Sequence, residues 1–160
     1  MSPDPFIRMV CYKDMKKIPP LEKIYEAWTA LADHRVTLHE NYATVTSSDG
    51  AKEYTVRFSN NQYSSDDNAT FWQGYPGYPV IAVLMLQGKL PYDKQEAELW
   101  KNINWTSLNK QHKNKYSEAV AEIAGERGIN LEKSNEEAHK VMQDLEKLPI
   151  EIKRKIKQNA

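Results

Sequence analysis

The sequence predicts an α+β fold: a small three-stranded antiparallel sheet with a buried helix and a C-terminal helical extension. Three observations carry this. Between residues 36 and 58 apolar residues alternate with polar ones, as Val36 and Leu38, Ala43 and Val45, then Tyr54, Val56 and Phe58, which is the period of half-buried strands. Residues 80–86, VIAVLML, are apolar without interruption, follow Pro79 and precede Gly88; they read as a helix covered on most sides. Beyond residue 91 the apolar positions recur at helical spacing only.

In chain order, residues 6–13, FIRMVCYK, suit a short strand. Pro19 and Pro20 stop it and launch a helix in which Leu21, Ile24, Tyr25, Trp28 and Leu31 share a face, ending near Asp33. HENY at 39–42 is a turn signal, and SSDG at 47–50 places Asp and Gly where a tight hairpin needs positive φ, so the second and third strands pair directly. Residues 60–78 read as a long loop with its own aromatic content. After the buried helix, Ala97, Trp100 and Ile103 form one helical face and a second helix runs from Thr106 to Gly128. Ser134 and Glu137 are spaced as a capping box for a last helix, whose seam is Ala138, Val141, Met142, Leu145 and Leu148. Pro149 ends it, and residues 150–158 add one frayed turn. The chain thus divides into an α+β region with its N-terminal helix, residues 1–90, and a helical extension, residues 91–160, packed as one domain with it.

Charge and composition exclude several classes. The 160 residues carry 22 basic and 22 acidic side chains, so no global field draws the protein to nucleic acid or an anionic membrane, and any such attraction is local. The single cysteine, Cys11, permits no intramolecular disulfide; it reads as a small core hydrophobe in a reducing cytosol. The N-terminus lacks a secretory signal, and the longest apolar run falls far short of the roughly 20 residues that span a bilayer. A cytoplasmic protein with no membrane association is expected.

No phosphate-binding glycine loop, dinucleotide fingerprint or nucleophile elbow occurs. His34, His39, His112 and His139 form no metal-binding doublet. Ser64, Ser65, Asp66, Asp67 and Asn68 are rich in oxygen, yet the glycine and glutamate of a calcium loop are missing, so an Asx turn or a cap is expected. Two basic runs stand out, residues 109–115 and 153–157. In the first, Lys110, Lys113 and Lys115 with Trp105 suit a stacking-plus-phosphate surface for single-stranded nucleic acid, against the alternative of a solvated helix face. Trp72, Tyr75 and Tyr78, between the sheet and the buried helix, suit either core packing or a patch for a protein partner.

The order of three strands, irregular loop and apolar helix after Gly77-Tyr78-Pro79 resembles the SWIM zinc-finger domain over about residues 36–90. That family's motif is Cys-x-Cys, a variable loop, then Cys-x-His opening a helix. Here Ser64 with Asp66, or Ser65 with Asp67, stands at the first pair, and Gly77 and Pro79 stand at the second. Glycine and proline offer no ligating atom, so the resemblance implies a degenerate zinc finger with neither metal nor cofactor. A structural zinc supplies on the order of 10 kcal/mol in finger peptides; Phe71, Trp72, Tyr75 and Tyr78 packed on the helix are expected to replace it. The resulting expectation is a non-enzymatic interaction module that binds a protein partner through Trp72, Tyr75 and Tyr78. The alternative is nucleic-acid binding through Lys110, Lys113, Lys115 and Trp105, and the third reading is an enzyme built on Asp66, Asp67 and a histidine.

Overall fold

A computed structural model describes residues 17–156; the strand expected at residues 6–13 and Cys11 lie outside them. Helix α1 (Glu22–Ala32) starts behind Pro19 and Pro20. It ends on His34, whose φ of 55° is left-handed. His34 N–H then bonds Leu31 O at 3.1 Å and Arg35 N–H bonds Ala30 O at 2.9 Å, the paired closure that satisfies two terminal carbonyls. Strands β1 (Val36–Leu38), β2 (Tyr42–Thr46), β3 (Glu53–Ser59) and β4 (Gln62–Ser65) follow as an antiparallel meander. The hairpin expected at SSDG is present: Thr46 pairs with Glu53, Gly50 has φ 75°, and the Asp49 carboxylate accepts from Ala51 N at 3.0 Å.

The sheet has five strands, not three. Ser59 pairs with Gln62 across Asn60 and Asn61, and Asn60 takes φ 54°, so a two-residue turn folds β4 back within what reads as loop. The fifth strand, β5 (Glu151–Ile152), pairs in parallel with Gln62 and Tyr63, where one frayed helical turn was expected; the sheet is therefore mixed.

A five-residue π-helical turn, Ala69–Gln73, leads to α2 (Tyr78–Leu86). Residues Val80 to Leu84 of α2 have no exposed surface, because the helix lies between the sheet and α1. Each such Val, Ile or Leu contributes roughly 1.5–3 kcal/mol over exposure, before side-chain entropy is charged against it. Gly88, φ 79°, closes α2 as its spacing predicts, with Lys89 N bonding Leu84 O at 3.0 Å.

Helices α3 (Lys94–Glu98), α4 (Trp105–Gln111), α5 (Tyr116–Arg127) and α6 (Leu131–Lys147) complete the chain. α3, α5 and α6 pack on α1, and one apolar cluster runs from Ile24 to Ile150. The helix expected from Thr106 to Gly128 is broken at Lys113 and Asn114, with φ 54° and 64°. Ser134 is no cap: Asn130 caps α6, accepting from Lys133 N at 3.2 Å. Ser134 is instead buried, where its hydroxyl donates to Glu96 and accepts from Trp100 Nε1. Among the described residues no helix is long and apolar enough to cross a membrane.

Candidate functional site

Between the first turn of α1, the β2–β3 hairpin, the π-turn and α4 lies an open cleft of about 790 Å³. Its floor is made by buried charge. Lys23 Nζ stands 3.2 Å from Glu26 Oε2 and 5.1 Å from the centroid of the Tyr116 ring. Arg35, just past α1, donates from Nη1 to Thr46 O. Its Nε and Nη2 are covered atoms with no hydrogen-bond partner, Asp33 Oδ2 standing 3.6 Å from Nε, beyond bonding distance.

Burial raises the ionisation of Glu26 above the ordinary carboxylate range, against the attraction of Lys23. For Lys23 burial works downward, but Glu26 and Tyr116 prevail and hold the ammonium above its usual value. Burial likewise pushes the Tyr78 phenol up, opposed by Arg35, and the Tyr54 phenol up, reinforced by Asp67. The floor is thus a close Lys23–Glu26 contact under neutral phenols.

One wall is the segment from Ser65 to Gly77, held by a chain of polar contacts. Ser65 Oγ donates to Asp67 Oδ1, Thr70 N donates to Asp67 Oδ2 at 3.0 Å, and Gly77 N donates to Thr70 Oγ1 at 2.8 Å. A Cβ on Gly77 would stand 2.2 Å from Asp67 Oδ2, so glycine is required by close approach rather than by its φ. The expected closure of this loop by aromatic packing on α2 is not what holds it. Trp72 is 65% exposed, its ring edge-on to Phe71 with centroids 4.7 Å apart. The Ser and Asp residues form the turn instead, as their types predict.

The structure brings together most of the residues singled out from sequence. Trp72, Tyr75, Tyr78, Trp105 and Lys110 all line the cleft; Lys113 and Lys115 do not, although Asn114 and Tyr116 beside them do. Trp105 is a wall residue rather than a stacking platform. It is 3% exposed, lies parallel to Trp100 with centroids 6.4 Å apart, and spends its indole N–H on Thr29 Oγ1 at 2.8 Å. Sequence reading missed Lys23, Glu26 and Arg35 of the same cleft, whereas Lys52, readable from sequence as a basic residue of the third strand's exposed face, also lines it. The signal available was Lys23 and Glu26 one helical turn apart on α1, the spacing of an i,i+3 pair.

Among the lining residues Lys23, Arg35, Lys52 and Lys110 oppose Glu26 and Asp67, so a chain of zero net charge concentrates positive charge at one place. Lys52 and Lys110 are exposed and available. On the far side of Trp72, the Arg154 guanidinium stands 5.1 Å from the Phe71 centroid and 5.5 Å from that of Trp72.

Residues 16–151 match the family described as Uncharacterised conserved protein UCP014422, and the chain belongs to that family. No curated protein and no solved structure matches it. The match corrects the SWIM zinc-finger resemblance: the family that covers the region is a different one. Among the described residues no group of three or more His, Cys, Asp or Glu is placed to hold a metal ion. The strand-loop-helix order that suggested kinship arises here from a four-stranded meander and a π-turn, with Gly77 serving a close backbone approach.

Proposed function

We propose that the protein is a non-enzymatic binding module whose cleft takes single-stranded nucleic acid, with a base on Trp72 and phosphates on Lys52 and Lys110. The observation that supports this is the open indole of Trp72 on the rim of a cleft in which cations outnumber carboxylates. Base–aromatic stacking contributes about 1–3 kcal/mol per base and tolerates any sequence, while lysines supply the salt-sensitive part. Local rather than global charge suits a module that discriminates by stacking. The protein-partner reading is second; the exposure of Trp72 with Tyr75 half-buried beside it favours that reading, since such rings serve as anchors.

Anisotropy of a labelled dT16 oligonucleotide tests the first reading. Binding should weaken steeply with salt, fall about 5-fold or more in Trp72→Ala, and fall in Lys52→Ala and Lys110→Ala with a shallower salt slope. Absence of binding at low salt removes nucleic acid and leaves the protein partner.

A further inference from the structure

We propose that the strand does not end in the cleft but crosses the Trp72 ridge into a second groove, between the β3–β4 face and the C-terminal segment, so that the ligand is a polymer and not a nucleotide. This rests on the cleft reading above. The second groove, about 220 Å³, is lined by Thr55, Ser64, Phe71, Arg154 and Lys155, with Arg57 and Asp66. Its cations are placed by backbone. Glu151 N bonds Asn61 O and Lys153 N bonds Tyr63 O, both at 2.8 Å, so β5 carries residues 154–156 along the edge of β4, and buried Ile156 anchors them. Asp66, held by accepting from Thr55 N at 2.8 Å, is one carboxylate against Arg57, Arg154 and Lys155.

Phe71 faces the second groove while Trp72 lines the first. Arg154 spans the two rings. A ligand leaving the cleft over Trp72 therefore meets a guanidinium next, then Lys155 and the hydroxyl of Thr55. This is the alternation of flat ring and cation that tracks a sugar–phosphate backbone. A mononucleotide uses only the first half.

The test is a length series, dT2, dT4, dT8 and dT16, against the full chain and an Arg154→Ala/Lys155→Ala double variant. Affinity of the full chain should climb with length well beyond dT2. The double variant should keep dT2 binding and lose the length-dependent gain, with the dT16 salt slope reduced by about 1.4 for two single-strand phosphate contacts. Arg154→Lys, which keeps charge, separates loss of charge from a shift of Trp72 and should retain most of the gain. Equal affinity for dT2 and dT16, or a double variant that binds dT16 like the full chain, overturns the second groove while leaving the cleft. Failure of every oligonucleotide to bind overturns both.

Discussion

Trp28, Trp100 and Trp105 are at most 3% exposed, whereas Trp72 is 65% exposed. The three buried indoles sit on or beside helices, and two of them place their N–H on a buried hydroxyl, Trp100 on Ser134 and Trp105 on Thr29. Tyr25 packs edge-on against Trp28 and Trp100 at 5.1 and 4.5 Å, geometry that adds to area burial. Trp72 sits on an irregular five-residue turn, shaped by Asp67, Thr70 and Gly77 rather than by packing of its own ring. One residue type thus does two jobs, and the difference teaches that the interior and the cleft rim are held by separate forces: apolar contact in one, a short relay of side-chain hydrogen bonds in the other.

The sharpest way to break that comparison is to remove a buried ring. Trp100→Ala should cost about 3–5 kcal/mol in urea unfolding, since it empties the centre of the tyrosine–tryptophan cluster and removes the indole donor to Ser134 Oγ. A loss under about 1 kcal/mol would mean the cluster is not the stabilising interior. Next comes the relay. Gly77→Ala must push Asp67 off the turn, and overpacking of this kind costs about 1–3 kcal/mol; the turn at residues 66–78 should also become a site of limited proteolysis. Unchanged stability and protease resistance would show that the relay does not hold the loop.

The ion pair under the cleft gives a smaller, pH-dependent effect. Burial, opposed by Lys23, raises the Glu26 carboxyl, so the folded protein holds that proton more tightly than the unfolded chain does. The stability linked to it is fully present below the unfolded value of about 4.5 and is lost as pH rises through the raised folded value. Wild type should therefore lose stability relative to Glu26→Gln as pH increases above that point. A constant difference between the two proteins refutes it. Trp72→Ala is the smallest in stability, within about 0.5 kcal/mol as for most surface changes; a larger loss would place Trp72 with its three buried counterparts.

Much of this was legible in the sequence and some was not, for identifiable reasons. Alternation named β1 to β3 because each carries two or more apolar residues at period two, although Leu38 of β1 is exposed, and the Pro79 and Gly88 bounds named α2. β4 escaped because its only apolar residue is Tyr63; the buried Ser64 and Ser65 are polar, and Ser65 is tied into the relay through Asp67. β5 has two residues and is defined by its partner far back in the chain. At the cleft, Trp72 and Lys110 stood out by type. Lys23 and Glu26 did not, since an i,i+3 pair on a helix usually lies in solvent, and only the fold covers it.

The parallel pairing of Glu151 and Ile152 on β4 has a further bearing on solubility. It occupies the backbone groups of Asn61 and Tyr63, leaving the three-residue β1 as the opposite margin of the sheet. Trimming the chain before residue 151 would bare the β4 edge as a template on which other copies can add strands, so the last described residues guard against self-assembly into aggregates as well as bearing charge.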